Sequence, residues 1–176
     1  MPPIDSVRLA LPAEAVDIAR IQRRAWAEAG MPPEALSAVP ADVATRAWHE
    51  AIVKPPLAHC RVLVAVGDAG VVGFAVTGPS GEPDRDNADG TIAEFIVDPK
   101  HRRKGHGSRL MNAAVDTLRT DGFEVAVFWA RAADDALRSF LVGCGWAADG
   151  AHQEVGVDED GEHVKLVRLH TRIAAD

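Results

Sequence analysis

Residues 60–78, CRVLVAVGDAGVVGFAVTG, constrain the fold more than any other stretch of this chain. Two short apolar runs rich in valine flank a polar break at 68–70, which reads as a β-hairpin with a tight turn. The segments before it have a different period. Residues 6–11 alternate well enough for a first strand. Pro12 suits the first turn of a helix that carries Ala15, Ile18, Ile21 and Ala25 on one face and stops at Gly30. A second helix covers 41–53 and is stopped by Pro55 and Pro56. Beyond the hairpin, GPSGEPDRDNADG at 78–90 is a loop by composition, and TIAEFIV at 91–97 is a fourth strand.

The C-terminal half continues the alternation. Leu110, Met111, Ala114, Val115 and Leu118 recur at helical spacing, with Asp121 and Gly122 as the stop. FEVAVFWA is a fifth strand and DDALRSFLVGCGW a short helix broken by Gly143 and Gly145. HQEVGV and HVKLVRLHTRI close the chain as a hairpin around a polar turn at 158–162. The order β-α-α-β-β-β-α-β-α-β-β predicts an α/β protein with a mixed sheet and helices on both faces. At 176 residues the expectation is one domain spanning 1–176.

Composition excludes several classes. A formal charge of −7 argues against a general nucleic-acid binder. No run approaches the roughly 18 apolar residues of a membrane span. The N-terminus lacks a secretory signal pattern, and two isolated cysteines form neither a disulfide framework nor a metal motif. A cytoplasmic setting, with no membrane and no nucleic-acid partner, is the expectation.

Against that acidic background, VDPKHRRKGHGSRL at 97–110 gathers His101, Arg102, Arg103, Lys104 and His106 around Gly105 and Gly107. Glycines at a strand-to-helix junction let backbone approach a ligand, and the helix start offers N–H groups and a positive dipole end. The chemistry this suits is a phosphate or pyrophosphate, although a plain basic turn has the same composition. The P-loop pattern is absent, and the dinucleotide pattern fails at its third glycine, where Leu110 stands. The two histidines lack a carboxylate or thiol beside them, so no metal is expected, and phosphate contact or solvent exposure is the expectation for both.

Arg102-x-x-Gly105-x-Gly107, introduced by Val97-Asp98-Pro99, resembles the acyl-CoA signature Q/R-x-x-G-x-G/A of the GNAT superfamily of N-acetyltransferases. GFAVTGPS at 73–80 and FWARAADDALRSFLVGCGWAADG at 128–150 resemble further family segments, and the element order is also the family's. The resemblance implies a GNAT fold with splayed strands 4 and 5 and acetyl-CoA as co-substrate. It places the pyrophosphate on the loop and helix start, Arg103, Lys104, Gly105, His106, Gly107 and Ser108, with Arg102 at the head of the signature. The pantetheine arm would run along the backbone of Phe95, Ile96 and Val97, with Asp134, Leu137 and Phe140 on the other side. Asp134 stands where the family often has Asn.

Acetyl transfer needs a neutral amine, and at pH 7 a lysine-like amine is about 3.4 units from neutrality, roughly 4–5 kcal/mol. The leaving thiol is easier, with a shortfall of roughly 2 kcal/mol. The family's usual acid, a Tyr, is replaced by Leu141, and the chain contains no Tyr at all. Its early strand-4 Glu is replaced by Thr91, which leaves Glu94 as the carboxylate inside the strand and the candidate base. Trp26, Met31 and Trp48 are candidates for the wall of an acceptor pocket or for core. The expected partner is a small-molecule or peptide amine, and the final hairpin offers edges for a homodimer. Two rivals stay open: a CoA-binding or acyl-CoA-sensing protein without efficient catalysis, and a nucleotide-binding protein of another kind.

Overall fold

A computed structural model describes residues 5–85, 88–156 and 163–174. Among the described residues seven strands form one mixed sheet in the order β1-β2-β3-β4-β5-β7-β6. They are β1 Ser6–Leu9, β2 Arg61–Gly67, β3 Gly70–Pro79, β4 Asp89–Val97, β5 Val125–Arg131, β6 Ala147–Gly156 and β7 His163–Arg172. The helices are α1 Ala15–Glu28, α2 Pro33–Ala38, α3 Ala41–Val53, α4 His106–Thr120 and α5 Asp135–Gly143. Short 3-10 turns cover Pro12–Glu14 and Pro99–His101. The order matches the sequence expectation with two differences: Pro12 opens a 3-10 turn ahead of α1, and Pro33 starts an additional short helix, α2. The expected turn at 158–162 lies outside the described residues.

The chain divides into two compact units. The first comprises residues 1–78 and 94–117. In it β2 and β3 pair antiparallel from Arg61–Thr77 to Gly67–Gly70, confirming the hairpin, with Val72 as the extra residue of a bulge. Nearly every residue of the pair is buried, because both faces are covered. One face carries Val62, Val64, Val71 and Phe74 against Ile18 and Ile21 of α1 and Trp48 of α3. Trp48 meets Phe74 edge-on at 5.1 Å and donates Nε1–H to Gln22 Oε1 at 3.0 Å. Trp48 is therefore core, its indole N–H satisfied by a buried amide.

The second unit comprises residues 79–93 and 118–176. Here β5 pairs antiparallel with β7, which pairs with β6. Among the described residues the parallel ladder of β4 with β5 covers three pairs, Asp89–Val125, Gly90–Ala126 and Thr91–Val127. The segment 80–85 that follows β3 is tied down by Arg168 of β7. Its buried guanidinium donates to Asp84 through Nη1 at 2.8 Å and Nη2 at 2.6 Å, and to Asp149 through Nε at 2.6 Å. It also sits 5.6 Å from the ring centre of Trp129. Such a bidentate pair holds a loop more firmly than its Gly- and Asp-rich composition suggests.

Candidate active site

The basic loop leaves β4 at Val97 and turns twice before α4 begins at His106. Arg103 adopts φ 61° and Gly105 φ 84°, both in the left-handed region. At Gly105 a side chain would be strained by φ and would also lie 3.0 Å from the Arg109 guanidinium. Left-handed turns of this kind curl successive N–H groups toward one side, which suits an anion. The first helical bond here runs from Arg109 N–H to Gly105 C=O, so the amides of His106, Gly107 and Ser108 precede it. A pyrophosphate fits this arrangement of backbone donors at the positive end of a helix of 15 residues.

The side chains divide differently from the sequence expectation. Arg103, Lys104 and Ser108 are exposed. Arg102 pairs with Glu28 of α1, and its Nε lies 3.4 Å from the Val97 carbonyl. His106 is buried rather than solvent-facing: its ring packs on Gly67, where an added Cβ would be 2.9 Å from Cε1. Burial lowers its basicity, and Arg109, His101 and Lys104 push the same way against Asp5. Arg109 can only donate, so its 3.2 Å contact makes Nδ1 of His106 the acceptor and leaves the proton on Nε2. Any contribution of His106 to an anion seat is thus its backbone amide.

Two residues that organise the loop were not singled out by sequence reasoning. Arg109 Nη2 joins Asp5 at 2.9 Å and the Lys104 carbonyl at 3.1 Å. Asp98, 1% exposed, accepts from Arg24 Nη1 at 2.8 and 2.6 Å and caps the 3-10 turn through the Lys100 amide at 3.1 Å. Burial alone would raise this carboxyl, but Arg24 and the Lys100 amide outweigh it and hold it below the ordinary value.

On β4, the peptide of Ile96 faces β3. An added Cβ on Gly73 would lie 2.9 Å from the Ile96 carbonyl, and Asp98 N–H donates to Val72 C=O at 2.8 Å. By strand alternation the peptide groups of Phe95 and Val97 face the edge away from β3. The Ile96 side chain packs on the core around Phe74. Of the three expected cofactor contacts on this strand, Ile96 is therefore committed to the fold on both counts.

Glu94 shares the Ile96 face of the strand by its i, i+2 spacing. It is partly buried, and among the described residues its carboxylate has neither a hydrogen bond nor an ion pair. Desolvation alone raises its pKa above the ordinary Glu value. On α5, Asp134 is the N-cap, its Oδ1 accepting from the Leu137 amide at 3.1 Å. That bond explains why Asp is accepted where an Asn was expected, since both cap well. Leu137 and Phe140 are half-buried, whereas Leu141, in the expected Tyr position, is completely buried. Among the described residues no group of three His, Cys, Asp or Glu could hold a metal.

A sequence profile of the acetyltransferase (GNAT) family matches residues 18–146. The chain belongs to the GNAT acetyltransferase family. Acetyl-CoA is the co-substrate of that family. Solved structures share the fold over nearly the whole chain. That of yncA from Salmonella typhimurium, solved with its cofactor acetyl-CoA, is 23% identical with TM-score 0.75, covering 99% of this chain and 96% of the other. An N-acetyltransferase from Staphylococcus aureus Mu50 is 19% identical with TM-score 0.75, covering 97% and 99%. A ribosomal-protein-alanine N-acetyltransferase from Brucella melitensis is 18% identical with TM-score 0.73, covering 94% and 98%. No curated protein matches the sequence. Among the described residues of this GNAT protein, no helix is long and apolar enough to cross a membrane.

Proposed function

We propose that this GNAT acetyltransferase, working as a single domain, moves the acetyl group of acetyl-CoA to a primary amine, with Glu94 as proton acceptor. The observation that carries the reading is Glu94 itself: a half-buried carboxylate without a partner among the described residues, its pKa raised by desolvation. A base poised nearer to neutrality accepts a proton from an ammonium more effectively than an ordinary carboxylate. Glu94 takes one proton of the ammonium, directly or through one water; the neutral nitrogen then bonds to the acetyl carbon as the carbon–sulfur bond breaks, and its second surplus proton leaves to solvent. The departing thiolate of CoA is then protonated by solvent.

The loop residues have separate tasks in this reading. The amides at 103–108 hold the pyrophosphate, with the Arg102, Arg103 and Lys104 side chains secondary to them. Phe95 and Val97 meet the pantetheine arm through backbone. The charge of −7 favours a cationic acceptor, a small metabolite or a peptide amine. A cytoplasmic location and a homodimer through the last hairpin belong to the same proposal.

A second reading, a CoA-binding sensor without turnover, is favoured by one observation. The chain has no Tyr, and Leu141 is sealed in the core, so α5 presents no phenol to the leaving sulfur. Release of free CoA thiol across an amine panel separates the two. Turnover that falls by about 10²-fold or more in Glu94→Gln supports the enzyme and its base. Tight CoA binding with no turnover on any amine supports the sensor, and thermal stabilisation by ATP or NAD but not CoA overturns both.

A further inference from the structure

One face of α1 carries Arg20, Arg24 and Glu28 at i, i+4, i+8, and each reaches the loop that follows β4. Arg24 Nη1 bonds both oxygens of Asp98, Arg20 Nη1 stands 3.8 Å from Oδ2, and Glu28 pairs with Arg102. Asp98 in turn fixes its surroundings through every polar group it has. Its amide donates to Val72 of β3, its carbonyl accepts from His101 N–H at 2.8 Å, and its carboxylate accepts from Lys100 N–H. The 3-10 turn that begins the loop, and hence the approach to the left-handed residues 103 and 105, hangs on that one buried carboxylate.

We propose that Arg24 is a positioning residue for acetyl transfer: through Asp98 it holds the loop at 98–105 in the shape that receives the CoA pyrophosphate. Arg24 is distant in sequence from the loop by 74 residues, and its side chain is 27% exposed. It is the partner that makes a carboxylate tolerable inside the protein at this point. A seat built from backbone amides works only while the backbone keeps its curvature, because hydrogen bonds weaken steeply as distance and angle depart from their optimum. The exposed Arg102–Glu28 pair, with both side chains about half exposed, is a weaker tether. Arg24 thus acts on CoA affinity without touching CoA, and the inference rests on the donor assignment above.

The test is calorimetric titration with CoA, together with steady-state kinetics at varied acetyl-CoA. Arg24→Met that folds, by circular dichroism, is expected to bind CoA tenfold or more weakly and to raise KM for acetyl-CoA while kcat at saturation stays near wild type. Arg24→Lys is expected to restore most of the affinity. Where Arg24→Met does not fold, Arg24→Met with Asp98→Leu removes the pair without leaving a buried charge, and the same loss is expected. Wild-type affinity in either folded variant, or a Lys variant no better than Met, overturns the positioning role alone. A wild-type chain that binds no CoA overturns the donor assignment itself.

Discussion

Replacing Gly73 by alanine tests whether the close approach of β3 to β4 sets the strand proposed to meet the cofactor. Gly73 does not need positive φ, so alanine is acceptable to its own backbone. The difficulty is space: the new Cβ would lie 2.9 Å from the Ile96 carbonyl oxygen and 3.4 Å from Val97 Cα. Ordinary carbon–oxygen contacts between strands are about 3.3–3.6 Å, so one strand must retreat by about 0.4–0.7 Å. Both obstructing atoms are backbone, and no side-chain rotation relieves them. Overpacking of this kind costs about 1–3 kcal/mol. At roughly 2–4 °C per kcal/mol for a chain of this size, Tm should fall by about 2–12 °C. The displaced peptides adjoin Val97, so a weakened hydrogen bond there should reduce CoA affinity about three- to tenfold. The assay is thermal unfolding beside calorimetric CoA titration, with Gly143→Ala as control. A Cβ at Gly143 meets no atom within 4 Å, so that variant should be neutral or slightly more stable. Gly73→Ala with unchanged Tm and unchanged CoA affinity would refute the reasoning.

Gly107→Val should abolish CoA binding while the chain still folds, because its side chain would stand over the amides at the start of α4; retained affinity by calorimetry would displace the pyrophosphate seat. Glu94→Gln should stabilise the protein near neutral pH while it lowers activity. The sign follows from the raised folded pKa: the native state binds the proton more readily, so wild-type stability falls as pH rises above the ordinary Glu value of 4.5. Urea titrations of the two proteins should therefore converge below about pH 4. The acid limb of kcat/KM should lie above the usual Glu range in wild type and vanish in the variant. Arg168→Met removes the guanidinium that joins Asp149 to the exposed Asp84, leaving Asp149 with Arg85 and the Ala151 amide, and should lower the urea midpoint; an indistinguishable midpoint would show that the network contributes nothing. Asp98 and Asp149, both held below the ordinary 3.8, contribute stability that is complete above that pH and lost as pH falls through their folded values, measurable as an acid transition.

Much of this architecture was legible because its signals are local. The hairpin at 61–79 follows from an apolar run, a turn and a second apolar run. Helix α4 follows from Leu110, Met111, Ala114 and Leu118, all buried, and from Gly122 at φ 92° where the chain turns off. Helix α2 was less visible, since six residues between prolines carry too little periodicity. The glycine at 105 was correctly marked as conformationally special, but Arg103, which takes the other left-handed turn, carries no such mark in a sequence. His106 misled for a related reason: a histidine in a basic loop looks solvated, and only the contact with Gly67 shows the ring turned inward.

What the sequence determined by itself is the order of the strands and longer helices, the glycine-marked basic loop and the family, because periodicity, glycine placement and a short signature are properties of neighbouring residues. What only the tertiary structure decided is which polar groups are already spent. Ile96 is committed to β3, Asp134 to its own helix cap, Asp98 to Arg24 across 74 residues, and Arg168 to the acidic loop, while Glu94 keeps its carboxylate without a partner among the described residues. Such commitments depend on distances between segments remote in the chain and on how much water each group keeps. Neither quantity is written in local residue order, and both set the energy of a buried charge.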